Sequence, residues 1–180
     1  MCGMGEAATL MMQAVESGLQ IEAVDFSPGM TRKCEEAVSR LSSGQVTVHT
    51  QNVFELSAQP SFDRICCSFG LKTFDDDQLR RFAGLIGQLL KPEGRAAFVE
   101  IFVPENPILR VPYLFYLRHI IPLIGFLCLG NPDCYRCLAL YTEDHAGRDF
   151  FGVYLREQGL EVEEDYLFWG CAKLYIARKT

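Results

Sequence analysis

Two short runs near the start of the chain hold the residue types that bind a nucleoside. Cys2-Gly3-Met4-Gly5 opens directly into a segment of helical spacing, and Asp25 closes a short apolar run about 20 positions after Gly5. Glycines without a Cβ let backbone amides approach a ligand at a helix start, and a carboxylate ending the neighbouring strand can accept both ribose hydroxyls of an adenosine. Each signal is weak by itself. Together, in this order, they point to an adenosine-containing ligand, of the kind that dinucleotide and S-adenosylmethionine folds share. Gln51-Asn52-Val53 ends a further strand-like run and would offer an amide and a backbone N–H to the adenine.

These residues need elements to carry them, and the chain supplies strands and helices in alternation, the pattern of a parallel sheet covered by helices. Ala7, Leu10, Met11, Ala14 and Val15 space a helix over Glu6 to Ser17, with Gly18 as its stop. Ile21 to Phe26 reads as a buried strand. Ser27-Pro28 reads as an N-cap with proline at the first helical position, opening a helix that ends before Gly44. Val46 to Gln51 and Phe62 to Cys67 follow as strands. Asp75-Asp76-Asp77 then precedes an apolar periodic run, which places the carboxylates at a helix N-terminus as a solvated cap rather than a metal site. Lys91 to Gly94 reads as a turn and Ala96 to Phe102 as a strand. A helix through Phe150 to Leu155 stops at Gly159, and Leu160 to Leu167 with Cys171 to Arg178 form an antiparallel hairpin around Phe168-Trp169-Gly170.

Composition narrows the classes further. The 180 residues suit one domain spanning 1–180. With 23 acidic against 17 basic side chains the net charge is −6, which disfavours nucleic acid as a partner. Eight cysteines without a secretory leader, two of them adjacent at Cys66-Cys67, fit an intracellular reducing setting, a cytoplasm or an organelle matrix. Cys134-x-x-Cys137 lacks a second pair at zinc spacing and reads as ordinary thiols, so no metal is expected. The segment 108–140 is apolar and interrupted by Pro112, Pro122 and Pro132, too broken for one long helix. Its most apolar part, Ile120 to Leu129, falls short of the about 20 residues a bilayer span requires. It reads as a lid over an apolar pocket, a patch resting on a membrane surface, or a completion of the core. Peripheral membrane contact and homo-oligomer formation both suit such a segment.

Ala23-Val24-Asp25-Phe26-Ser27-Pro28-Gly29-Met30, Phe62-Asp63 with Ser68-Phe69-Gly70-Leu71, Leu90-Lys91-Pro92-Glu93-Gly94-Arg95, and Ile120-Ile121-Pro122-Leu123-Ile124-Gly125 resemble the class I methyltransferases that C-methylate quinone precursors in ubiquinone and menaquinone synthesis. The likeness runs through Tyr113, Tyr116, His119 and Tyr135-Arg136, over nearly the whole chain. It implies an α/β fold, a doubly wound Rossmann-like methyltransferase sheet with a C-terminal antiparallel hairpin, and S-adenosyl-L-methionine as cofactor. Gly3 and Gly5 would form the cofactor loop, Asp25 would hold the ribose, Asn52 and Val53 would face adenine, and Ser68 would lie beside the methionine portion. Ala8 stands where the family can carry threonine, so that contact would be lost.

Two departures stand out. Lys72-Thr73 replaces the arginine and asparagine usual after Gly-Leu, and lysine cannot reproduce a planar bidentate contact. The family also opens its sheet with a strand whose terminal acid precedes the glycine loop, and this chain starts after that point. The resemblance thus implies an N-terminally short version, with Met1 an internal or misassigned start. The strands ending at Asp25 and Ser68 would then have open edges, each buried unpaired group costing about 1–3 kcal/mol.

The function implied is an S-adenosylmethionine-dependent methyltransferase acting on a lipophilic small molecule, most simply C-methylation of a prenylated quinone precursor. Lys72 and His119 are the catalytic candidates for making the ring phenolate-like, and Arg110, Tyr113 and Tyr116 the candidates for lining the acceptor pocket. The alternatives are a methyltransferase of the same fold acting on another lipid-like molecule, and a non-catalytic paralogue binding partners through the aromatic segment. A dehydrogenase would bind NAD instead, and the terminal hairpin argues against it.

Overall fold

The computed structural model describes residues 1–14, 18–40, 46–57, 59, 61–129, 138, 141–143 and 150–180. They fall into two compact units, Met1–Gln59 with Cys66–Ser68, and Pro60–Ile65 with Phe69–Thr180. The Cys134-x-x-Cys137 pair and Tyr135-Arg136 lie outside the described residues.

The first unit is a glycine turn followed by a β-α-β unit. Helix α1 spans Glu6–Ala14, so the expected helix is present to Ala14 and its last expected turn lies outside the described residues. Strand β1 (Ile21–Asp25) is parallel to β2 (Val46–Thr50), in register from Ile21↔Val46 to Asp25↔Thr50. Their crossover contains α2, Pro28–Val38. Proline at the first turn is the expected helix start, since its missing N–H would have been unsatisfied there. Ser27 departs from expectation, for its side chain makes no capping bond. Thr31 steadies this turn instead, its Oγ1 lying 3.3 Å from the carbonyl oxygens of Ser27 and Pro28 and 2.7 Å from Thr50 Oγ1. Cys34 is fully buried on the inner face of α2.

The second unit centres on a sheet of order β3-β4-β6-β5. It contains β3 (Phe62–Ser68, whose last three residues count with the first unit), β4 (Leu90–Ile101), β5 (Leu160–Leu167) and β6 (Ala172–Lys179). Ser61 N–H donates to Leu89 O and Phe69 N–H donates to Val99 O, so β3 and β4 run the same way. The β5-β6 hairpin is antiparallel from Leu160↔Lys179 to Leu167↔Ala172, as its sequence pattern implies. Among the described residues no ladder joins β1 to β3, which belong to separate sheets. β4 starts earlier than the expected Ala96. Lys91 to Gly94 lie within the range of the strand, with Glu93 at φ 62°, and the ladder to β6 begins at Arg95.

Helix α3 (Asp76–Leu89) begins with a capping box in which the Asp75 carboxylate accepts Gln78 N–H and the Gln78 side chain accepts Asp75 N–H. It buries Leu79, Phe82, Ala83, Leu85, Ile86 and Leu89, a face at helical spacing. With α6 (Phe151–Glu157) and the sheet it encloses an aromatic core, with ring centroids 6.0 Å apart for Phe82 and Phe98, 5.0 Å for Phe98 and Phe151, and 5.6 Å for Phe151 and Tyr175.

The proline-broken segment corrects its expectation. α4 (Pro107–Phe115), a π-helical turn (Tyr116–Ile120) and α5 (Ile121–Leu129) follow without interruption. The π turn shifts the bonding register just before Pro122, with Ile121 N–H donating to Tyr116 O, and so absorbs a proline that would break a plain α-helix. Pro107–Phe126 is therefore long and apolar enough, by length and composition, to cross a membrane. It does not complete the core either. Ile108, Val111, Phe115, Leu123 and Phe126 are exposed, while Leu117 is buried.

Candidate functional site

The sequence-predicted residues fall into two groups. In the first unit, the chain before α1 runs beside the end of β1, with Cys2 N–H donating to Val24 O at 2.8 Å and the Met1 amino group also bonding Val24 O. The turn is left-handed at Gly3 (φ 58°) and Gly5 (φ 89°). Gly5 has a packing reason as well, since a Cβ there would stand 2.8 Å from Cys34 Sγ. At Gly3 a Cβ would meet only Glu6 Oε2 at 3.6 Å, so the space over this residue is otherwise open.

Asp25 ties the turn to the strand. Its Oδ2 accepts Gly3 N–H at 3.0 Å and its Oδ1 accepts Ser27 N–H at 3.0 Å. An ionised carboxylate has about four lone-pair sites. Two are filled by backbone donors, which fix the group, the Met1 amino group stands 3.9 Å from Oδ2, and the remaining lone pairs match two vicinal hydroxyls. A glycine turn with an open face beside a backbone-fixed carboxylate fits the adenosine of S-adenosylmethionine. Asn52 Oδ1 accepts Phe54 N–H at 3.1 Å and caps the short turn Val53–Glu55. Ala8 is buried, and Ser68 ends β3 exposed. Cys2 and Cys34 sit together under the turn. Burial, then the neighbouring Cys34 thiol, pushes Cys2 up to about 12, so it is a neutral thiol and not a nucleophile near neutral pH.

The second group lies around the carboxyl ends of β3 and β4. Lys72 follows β3 in the turn Leu71–Thr73, and its side chain is only 9% exposed. Its Nζ donates to Glu100 Oε1 at 3.0 Å and to Phe69 O. Glu100, near the end of β4, is fully buried. Its Oε1 also accepts Ile101 N–H at 2.8 Å, and its Oε2 accepts Lys72 N–H at 3.0 Å. The sequence reading missed Glu100. The signal was there, a single acid within the apolar run Ala96-Ala97-Phe98-Val99-Glu100-Ile101-Phe102, where a charge is retained only with partners.

Tyr113 on α4 is half-buried and donates to Cys171 O at 3.3 Å. Burial first, then Cys171, Tyr116 and Glu100, raise its phenol well above the ordinary range, so it stays protonated. The structure thus places Glu100 against Lys72 and within electrostatic reach of Tyr113. His119 is not brought in. It is exposed and rests on Phe115, with ring centroids 4.9 Å apart. Arg110 and Tyr116 are exposed on the same helical stretch. Arg118 pairs there with Glu143 through two bonds of 2.9 and 2.6 Å.

Comparison with known proteins gives a consistent result. The ubiE/COQ5 methyltransferase family matches residues 1–179. A demethylmenaquinone methyltransferase of Halalkalibacterium halodurans is 29% identical over 182 residues, covering 99% of this chain and 73% of that enzyme. One from Thermotoga maritima is also 29% identical, over 97% of this chain and 73% of that enzyme. Among solved structures, an O-methyltransferase family protein from Burkholderia thailandensis superposes with a TM-score of 0.70 at 17% identity. It is matched over 99% of this chain and 49% of its own, so the present chain spans about half its length. Magnesium protoporphyrin IX methyltransferase from Synechocystis with bound S-adenosylmethionine gives 0.63 at 14% identity, over 99% of this chain and 67% of its own. These structural likenesses establish the fold, Rossmann-like α/β.

Proposed function

The chain belongs to the ubiE/COQ5 methyltransferase family, whose methyl donor is S-adenosylmethionine, and from that premise we propose that it methylates a ring carbon of a lipophilic, prenylated quinol. The curated relatives are demethylmenaquinone methyltransferases, which favours a quinol of that type as acceptor. The carrying observation is the Asp25 carboxylate, held by Gly3 and Ser27 N–H groups with lone pairs left over.

The donor supplies a sulfonium-bound methyl group when bound. Gly3 and Gly5 let the backbone lie close to it, Asp25 takes the ribose hydroxyls, and Asn52 and Val53 face the base, with Ser68 beside the methionine portion. Methyl transfer is an in-line displacement, so the work of the chain is alignment and exclusion of water. On the acceptor side, Lys72 governs the charge on the ring oxygen and Tyr113 lines the site. Tyr116 and Arg110 flank the path by which the prenyl tail enters. His119, exposed on the helix, is the weaker of the two catalytic candidates.

The apolar stretch Pro107–Phe126 suits a lipophilic acceptor, and its exposed Ile108, Val111 and Phe115 fit a bilayer surface. Arg118 within it argues for lying on a membrane rather than crossing one, since an arginine at mid-span costs about 2.5–3.5 kcal/mol.

Titration calorimetry with S-adenosylmethionine tests the reading, followed by transfer of a labelled methyl group to a demethylmenaquinol. Micromolar binding is expected for the chain, with about a 100-fold loss in Asp25→Ala, comparable to losing a charge-assisted pair of hydrogen bonds. Absence of binding and of methyl transfer overturns it.

A further inference from the structure

We propose that Glu100 is a positioning residue of the methyl-transfer site, one that fixes Lys72 as an ammonium so that Lys72 stabilises the acceptor's phenolate instead of removing its proton. This rests on the functional reading above and names how its acceptor half operates.

The geometry carries the inference. A buried ion pair is a poor stabiliser, because apolar residues of similar volume serve as well or better once desolvation is counted. The pair of Lys72 and Glu100 is nevertheless buried at the carboxyl ends of two neighbouring strands, the edge of an α/β sheet where ligands bind. Glu100 is also overdetermined. Two backbone N–H groups, of Lys72 and Ile101, hold both its oxygens while it grips the Lys72 ammonium at 3.0 Å. That ammonium has three N–H donors. One goes to Glu100 and one to Phe69 O, and the third makes no hydrogen bond among the described residues, with only the Phe69 ring nearby, its centroid 5.8 Å from Nζ. A cation with one donor in reserve, pinned by a carboxylate that cannot itself move, is suited to a developing oxyanion.

The other groups near Glu100 do not replace this cation. Tyr113 is a neutral phenol held to Cys171 O. Lys173, opposite Glu100 in the ladder, is engaged by Glu164 at 2.7 Å. The step then balances without a protein base. The acceptor hydroxyl loses its proton to water, and its phenolate is paired with the Lys72 ammonium. The ring carbon forms the new carbon–carbon bond as the methyl–sulfur bond breaks, its electron pair remaining on sulfur to leave a neutral thioether. The ring then loses its C–H proton to water and regains a hydroxyl proton, restoring the aromatic quinol.

The test is a double-mutant cycle in the full chain, reading kcat and KM for methyl transfer from labelled S-adenosylmethionine to a demethylmenaquinol, with calorimetric donor affinity alongside. Glu100→Gln is expected to lower kcat about 100-fold, the range for loss of one oxyanion donor, with donor affinity and acceptor KM within twofold. Lys72→Met should lose at least as much, and Glu100→Gln added to Lys72→Met should cost less than a further twofold. Glu100→Asp should recover at least a tenth of the rate. Lys72→Arg should keep more than a tenth, since arginine is a cation that cannot act as a base. If Glu100→Gln fails to fold, the contrast between Lys72→Arg and Lys72→Met decides the question without it. Multiplicative losses in the cycle, or a Lys72→Arg variant as dead as Lys72→Met, overturn the assignment while leaving the function standing. A wild-type chain that binds donor and transfers no methyl overturns the functional reading and this assignment with it.

Discussion

The two units are built from different materials. Among the described residues, the buried apolar side chains of the first unit are Ala8, Ala23, Cys34 and Cys67, all small, accompanied by the polar Asp25 and Thr31. The second unit buries Phe82, Phe98, Phe151, Tyr154 and Tyr175 together with a set of leucines. Burial contributes roughly 25 cal/mol per Å² of apolar surface, so the second unit holds itself by packing. The first depends on backbone hydrogen bonds to one carboxylate and on close approach at a glycine. The region proposed to hold the donor is thus the part with least intrinsic cohesion, as is common for regions that a ligand completes.

The largest test of this contrast is truncation in the aromatic core. Phe98 is fully buried and in ring contact with Phe82 and Phe151. Phe98→Ala should destabilise the second unit by about 3–5 kcal/mol, read in urea denaturation. A loss below about 1 kcal/mol would mean that packing is not what holds it.

Next comes the ligand's own effect. If donor binding completes the first unit, S-adenosylmethionine at a hundredfold excess over its Kd should add about 2.7 kcal/mol of protection there. In hydrogen exchange, β1 and β2 should slow markedly and β5 and β6 hardly at all. Equal slowing in both would erase the distinction. Gly5→Val follows in size. It forces a branched residue to φ 89° and puts its Cβ against Cys34. A cost of about 2 kcal/mol is expected, with donor binding lost and the urea midpoint of the second unit unchanged.

The same contrast explains what could be seen in the sequence. The glycine turn at Gly3 and Gly5 was legible because a positive φ admits few residue types, and the helix start at Asp75-Asp76-Asp77 and both hairpin strands were legible because periodicity and turn chemistry are local. The helix from Pro107 onward was not, because Pro112 and Pro122 read as breaks while the π turn that accommodates Pro122 leaves no mark in the residues. Glu100 was missed because its meaning lies in contact with Lys72, 28 positions away. His119 was singled out by its type alone, and its exposure on the helix is visible only in the structure.

The smallest effect concerns a charge cluster on the hairpin, where the second unit also uses ions. Glu164 on β5 bonds the Lys173 ammonium at 2.7 Å and pairs with Arg156 at 2.6 Å. Partial burial pushes its carboxyl up, but Lys173 and Arg156 outweigh that and leave it below the ordinary glutamate value. A carboxyl lowered in the folded state binds protons more readily when unfolded. Its contribution is therefore present above the unfolded value of about 4.3 and declines as pH falls through the folded one. Glu164→Gln should cost about 1 kcal/mol at pH 7. The gap to the wild type should narrow as the pH is taken below 4, with urea midpoints recorded across pH 3 to 8. A gap independent of pH would assign the loss to packing over Gly152, whose Cα the Glu164 carboxylate covers, and would make this corner of the second unit a matter of shape rather than charge.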